Sequence, residues 1–239
     1  MTACSSACPV LSGPGWNWTS DVDHTAADGY QPIDLSRIRE IIGYPPKFIE
    51  EKKTSSLGEF ARRFIAHSTF YVVATVNDAG QVDASPKGDP PGSVKILDSR
   101  TLAIPDRPGN KAIDTFRNLV ERPGIGVLFL VPGVREVLRV NGDAFVTDDP
   151  DLLEMLAADG KPAVLATIVR VQEVFYQCGK ALIRSRMWNP DPGLADALLG
   201  GANFYCAIGA EMGEMATAMG IDVSGLIDIT NEHYETTLY

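Results

Sequence analysis

Six cations of this chain fall in three short runs, and their surroundings suit them to an anion. The first run is Ser85-Pro86-Lys87-Gly88-Asp89 and the second is Pro105-Asp106-Arg107-Pro108-Gly109-Asn110-Lys111. Each follows a strand-like segment, and the second opens into an amphipathic helical pattern. Loops rich in Gly and Pro expose backbone amides, and a helix N-terminus adds partial positive charge. With Lys or Arg beside them, such loops hold a phosphate. The third run, Gln177-Cys178-Gly179-Lys180-Ala181-Leu182-Ile183-Arg184-Ser185-Arg186-Met187-Trp188, puts Lys180, Arg184 and Arg186 within seven residues. Read as a helix, it sets Lys180 and Arg184 on one face a turn apart, and Trp188 adds a planar surface. Ser85 and Asn110 are the neutral partners.

The rest of the composition sharpens this reading. The 239 residues carry a formal net charge of -10, which argues against nucleic acid as the main partner and makes a local basic cluster informative. Taken singly, each cation also reads as a solvated surface charge. Asp89 and Asp106 stand close enough in sequence to pair with their neighbours. Cys4, Cys8, Cys178 and Cys206 complete no zinc pattern with His24, His67 and His233. Sparse cysteine, no signal-peptide pattern and no long apolar run predict a cytoplasmic protein. No Ser-His-Asp or Cys-His arrangement is legible, and no GxGxxG follows a strand, so a Rossmann dehydrogenase is disfavoured. His67 reads as structural, Cys178 as packing beside Gly179, and Tyr176 as a ring-stacking or proton-donating group.

The elements that must position these runs follow from periodicity. Residues 34–42 have Leu35, Ile38, Ile41 and Ile42 on one helical face, stopped by Gly43 and Pro45-Pro46. Ser56-Leu57-Gly58-Glu59 has the spacing of a capping box. It predicts a helix over 57–67 that buries Leu57, Phe60, Phe64 and Ile65. Phe70–Val76 is a β-branched and aromatic run, and Asn77–Gly80 turns it into a second strand, Gln81–Ser85. Val94–Leu97 and Leu102–Ile104 form a hairpin. A helix over 111–121 carries Ile113, Phe116, Leu119 and Val120 inward. Strands follow at 125–131, 136–147 and 163–175, with a bend or bulge at Asn141-Gly142 and a short helix, 150–158, capped by Asp148 or Asp149. About six antiparallel strands with helices in the gaps imply a closed or half-closed β barrel. Residues 1–30 read as an extension that Trp16 and Trp18 help to dock. Beyond Trp188 the chain turns helical, through DPGLADALLG, the segment 202–219 and a last arm ending Glu232-His233-Tyr234.

The order of these motifs resembles a known family. A strand, Ser85-Pro86-Lys87-Gly88, a hairpin, PDRPGNK, a helix, a strand, LRVNGDA and QEVFYQCGKALIRSRMW is similar to the FMN-binding split-barrel family related to pyridoxamine 5'-phosphate oxidase. SPKGDPPG, IPDRPGN and CGKALIRSR resemble most its uncharacterised FMN-dependent branch. The resemblance implies a mainly β (α+β) split barrel at 55–190, a partly helical N-terminal extension at 1–54 and a helical C-terminal tail at 191–239. It implies a homodimer with FMN in the clefts between subunits. Lys87, Asn110 and Lys111 would hold the phosphate. Ser85, Pro86, Asp106 and Arg107 would lie near the isoalloxazine or ribityl chain. Lys180, Arg184, Arg186 and Trp188 would reach the flavin from the partner chain. The implied activity is hydride transfer to or from flavin N5 with a small organic substrate. Ile183-Arg184-Ser185-Arg186 has no histidine where pyridoxamine 5'-phosphate oxidases carry an Arg-x-His pair, which argues against pyridoxamine phosphate itself. The same barrel also suits a non-catalytic flavin- or haem-binding sensor, or a deazaflavin-dependent reductase.

Overall fold

The structure is a computed structural model and describes residues 29–200 together with 218 and 220. The expectations for 1–28, for the 202–219 segment and for the last arm fall outside or almost wholly outside the described residues. The chain divides into two compact units. Residues Glu51–Pro192 belong to one, which holds all the strands, and 29–50 and Gly193–Leu199 belong to the other.

In the smaller unit, α1 (Leu35–Ile42) is capped by Asp34, whose carboxylate accepts from the Arg37 amide at 2.8 Å. Gly43 ends it at φ 78°, its N–H returning to the Arg39 carbonyl, because a left-handed C-cap is a conformation glycine adopts without strain. The helix α2 (Lys47–Glu51), which the sequence reading did not anticipate, follows.

In the larger unit, α3 (Glu59–His67) precedes β1 (Phe70–Val76), β2 (Val82–Gly88), β3 (Lys95–Ile96) and β4 (Thr101–Asp106). Then come α4 (Asp114–Glu121), β5 (Gly124–Leu130), β6 (Val137–Thr147), α5 (Pro150–Met155), β7 (Leu165–Gln177) and α6 (Lys180–Arg184). The other unit's α7 (Gly193–Leu199) is the helix expected from DPGLADALLG. The seven strands form one antiparallel sheet in the order β2-β1-β5-β6-β7-β4-β3. The architecture is thus mainly β with peripheral helices, consistent with a split barrel, and the sheet is not closed by hydrogen bonds. No described helix is long and apolar enough to cross a membrane.

Period-two alternation places the core. In β1, Tyr71, Val73 and Thr75 point inward, facing Val127, Phe129 and Ile125 of the paired β5. The strands β4 and β7 are buried on both faces, which explains their near-continuous apolar runs. Leu102, Ile104 and Val169 enter the main core, while Ala103, Ala166 and Ile168 pack beneath Leu152, Leu153 and Leu156 at α5. Asp149 caps α5, its carboxylate accepting from the Leu152 amide. The expected irregularity at Asn141-Gly142 is present as a register shift between β6 and β7.

Several expectations are corrected. The described residues hold seven strands, one for each strand segment read from the sequence, so only the total of about six was short. The run Ser85–Gly88 is strand, not loop: β2 pairs with β1 through Gly88, and Pro86 is tolerated because β2 lies at the sheet edge. The capping box does not form. Gly58 is the N-cap of α3 and no side chain caps it. Phe60 is 59% exposed, and Ala61 takes its inward place beside Phe64 and Ile65. In α4, Ile113 and Val120 are exposed, whereas Thr115, Asn118 and Leu119 are buried. The interior under α4 is polar, so an apolar count misreads which face turns in.

Candidate functional site

The site begins where β2 and β4 end. No backbone ladder joins these strands, but side chains do. Lys87 Nζ lies 2.8 Å from Asp106 Oδ1, and Arg107 Nε lies 3.1 Å from Asp89 Oδ2 and 3.2 Å from Asp89 Oδ1. The second pair is buried, with side-chain exposures of 12% for Arg107 and 2% for Asp89. Lys87 also stands 5.6 Å from the centroid of the Phe116 ring. A small cavity sits here, lined by Val73, Lys87, Ile104, Asp106, Phe116 and Thr167, among others. Tyr71 is buried within reach of the Asp89, Arg107 and Asp106 charges. Burial first, then the Asp89 carboxylate, pushes its hydroxyl well above the ordinary tyrosine range, so it stays neutral at physiological pH.

A hydroxyl–carboxylate cluster supports the floor. Thr115 Oγ1 donates to Asp83 Oδ2 at 2.7 Å and lies 3.0 Å from Ser85 Oγ, which itself donates to Asp83 Oδ2 at 3.0 Å. Deeper, Asn118 Nδ2 donates to Thr75 Oγ1 at 3.0 Å. These bonds fix the first turns of α4 against β1 and β2. Replacing Thr115 by Val should cost about 1–2 kcal/mol in urea unfolding, because the Asp83 carboxylate and Ser85 hydroxyl lose a shared partner. An unchanged midpoint would show that water replaces it.

The second run leads from β4 to α4. Asn110 and Lys111 are exposed, and Asn110 Oδ1 accepts from the Ala112 amide at 2.9 Å. Lys111 has φ 62°, a left-handed backbone that costs a side-chain-bearing residue about 1 kcal/mol. No ion pair among the described residues engages Lys111.

The third run sits at the far end of β7. The α6 helix does put Lys180 and Arg184 a turn apart. Arg186 has φ 51°, and Trp188 Nε1 donates to the Val134 carbonyl at 2.7 Å, tying the run to the β5–β6 turn. Gly179 lets the backbone pass against Arg135, where any Cβ would meet the Arg135 carbonyl. Within the chain, then, Ser85, Pro86, Lys87, Asp106 and Arg107 gather about the ends of β2 and β4, with Asn110 and Lys111 just beyond in the loop to α4. Lys180, Arg184, Arg186 and Trp188 form a separate group, and no hydrogen bond or ion pair among the described residues joins the two.

Three further expectations find their place. His67 ends α3, exposed, with its ring against the Arg63 carbonyl at 2.7 Å. Tyr176 packs on Phe60 and Phe64, and burial raises its hydroxyl. Cys178 is exposed rather than packed, because the tight approach here is made by the Gly179 backbone. Asp83 and Thr115 were missed. An Asp two residues before Ser85 on the same strand face was the available signal. Among the described residues no cluster of His, Cys, Asp and Glu is fit to hold a metal.

Comparison with known proteins bears on this arrangement. No curated protein sequence matches the chain. A candidate pyridoxamine 5'-phosphate oxidase from Lactobacillus delbrueckii is 26% identical, with a TM-score of 0.41 over 52% of this chain and 98% of that one. HupZ from Group A Streptococcus is 18% identical, with a TM-score of 0.42 over 51% and 94%. HutZ, a haem storage protein from Vibrio cholerae, is 14% identical, with a TM-score of 0.34 over 48% and 89%. The sequence pattern described as pyridoxamine 5'-phosphate oxidase matches residues 57–178, which run from the start of α3 through β7. That span is half of the chain and contains the whole seven-stranded sheet, so the chain belongs to the pyridoxamine 5'-phosphate oxidase family.

Proposed function

We propose that the protein is an FMN-dependent oxidoreductase that acts on a small organic molecule, working as a homodimer in the cytoplasm. The observation that carries this reading is the division of labour among the cations. Lys87 and Arg107 are engaged by carboxylates of the chain. Lys111, Lys180, Arg184 and Arg186 have no such partner among the described residues, and two of them, Lys111 and Arg186, hold left-handed backbone. Strained cations kept out of ion pairs fit an anionic ligand. The donor set suits FMN: exposed Asn110 and Lys111 for a phosphate, and hydroxyl, carboxylate and aromatic groups for a polar ribityl chain and a flat ring.

When bound, FMN supplies hydride acceptance and donation at N5. The chain's own residues do the rest. Lys111 and Asn110 take the phosphate. The Asp83–Ser85–Thr115 cluster and the Lys87–Asp106 pair hold the β2 and β4 ends rigid beneath the ligand. Arg186 or Lys180, supplied by the second copy, would bring positive charge to the bound cofactor.

The experiment is an absorbance titration of the purified protein with FMN, followed by anaerobic addition of NADH and NADPH. Near-stoichiometric flavin bands that bleach with a reductant support the reading. Flavin that binds and resists every reductant and substrate makes the chain a carrier, and no binding at micromolar FMN overturns the cofactor. Lys111→Gly separates binding from folding. Glycine accepts φ 62°, so the melting temperature should hold or rise, while FMN affinity falls about 10–100-fold with the lost charge-assisted bond. Unchanged affinity would remove Lys111 from the phosphate site.

A further inference from the structure

A second cationic cluster lies outside the three runs, on the β6–β7 ladder. Arg139 and Phe175 are direct cross-strand partners, as are Asn141 and Glu173. Lys52 and Lys53 reach the same place from the segment after α2. Their Nζ atoms stand 5.6 and 5.2 Å from the centroid of the Phe175 ring, and Arg139 Cζ stands 5.3 Å from it. We propose that Lys52, Arg139 and Phe175 form a binding site for a small molecule bearing a phosphate or carboxylate group.

The charges do not balance within the chain. Glu173 accepts from Lys53 at 2.7 Å and from Asn141 Nδ2 at 2.9 Å, and the Lys53 bond holds its carboxyl below the usual range. Glu173 therefore answers Lys53 first and Arg139 more weakly, one negative charge against the three cations around the ring. Lys52 Nζ donates to the Tyr176 carbonyl at 2.6 Å, which leaves two of its three donors. Arg139 Nε reaches Asn141 Oδ1 only at 3.4 Å, a weak bond, and Arg139 adds its attraction to the Glu173 carboxylate without closing an ion pair with it among the described residues. Three like charges about one half-buried ring repel one another. The ring quadrupole offsets part of that repulsion, and an anion shared by Lys52 and Arg139 offsets the remainder with charge-assisted hydrogen bonds. In a chain of net charge -10, this concentration of positive charge is a local feature of the ladder.

The test is calorimetric titration of the full-length protein with inorganic phosphate and, separately, with succinate, at fixed ionic strength in chloride. It is run on the wild type and on Lys111→Gly, so that the proposed flavin-phosphate loop does not contribute. Saturable binding is expected in both proteins, and the stronger anion distinguishes a phosphate from a carboxylate ligand. Arg139→Gln and Lys52→Gln should each weaken it about tenfold or more while keeping the wild-type melting temperature. No saturable heat with either anion overturns the proposal. So does binding that survives both glutamine variants, or an Arg139→Gln protein that loses thermal stability with unchanged anion affinity, which would leave the cluster a structural one.

Discussion

Asp89→Ala should lower folding stability by about 3–5 kcal/mol, the largest single loss expected for any charged residue of the site. The reason is burial. Arg107 and Asp89 are both withdrawn from water, and the desolvated guanidinium is tolerable because a carboxylate receives its Nε. Removing the carboxylate leaves a positive charge in a low-dielectric setting near Tyr71. Urea unfolding checks this. Replacing both partners by apolar residues, Asp89→Leu with Arg107→Met, should recover much of the loss, since an apolar pair carries no desolvation cost. The more exposed Lys87–Asp106 pair offers the contrast: Lys87→Met should cost about 1 kcal/mol or less. If Asp89→Ala falls within about 1 kcal/mol of wild type, the pair is not the fastening between β2 and β4 that its geometry implies.

Gly142→Ala should cost about 3 kcal/mol or more, and soluble yield should fall with it. A Cβ at Gly142 meets the carbonyl of Arg170 on β7. That carbonyl has little freedom to retreat, because Asp143 pairs with Arg170 and the Val171 amide donates to Arg100 at 2.7 Å. Gly126→Ala is the control. Its Cβ would lie 3.4 Å from the Asn141 side-chain oxygen, at the edge of ordinary contact, so about 1 kcal/mol or less is expected. Equal losses in the two variants would show that β-propensity, not the collision, decides both. The bulge at this point sets the register that brings Arg139 opposite Phe175 and Asn141 opposite Glu173.

What the sequence made legible was whatever a local rule controls. Phe70–Val76 reads as a strand because β-branched and aromatic residues fit a half-buried pleat, and its buried residues alternate. Asn141-Gly142 announces the bulge, Asp149 the start of α5 and Gly43 the stop of α1. The family-bearing motifs lie within 57–178 or just beyond it. What stayed hidden depends on which distant elements meet. Ile113 and Val120 have inward chemistry, yet Thr115 and Asn118 turn inward, since Asp83, Ser85 and Thr75 wait there to complete their hydrogen bonds. Phe60 stays at the surface and meets Tyr176 of β7, a contact between segments more than a hundred residues apart. Asp89 and Asp106 read as partners for the cations beside them in sequence, and the meeting of β2 with β4 crosses those pairs, Lys87 with Asp106 and Arg107 with Asp89.

The position of β2 has one more consequence. Among the described residues the hydrogen-bonded sheet ends there, and an unguarded edge strand invites another chain to add itself, the first step toward aggregation. This edge is poorly suited to that. Pro86 has no N–H to offer a newcomer, and Asp83 and Lys87 sit on either side of it, engaged by Thr115 and Asp106. An incoming strand would lack a donor at the middle of the edge and would have to desolvate two charges. The Ser85-Pro86-Lys87 run that marks the candidate site thereby also makes this edge a poor template for another strand.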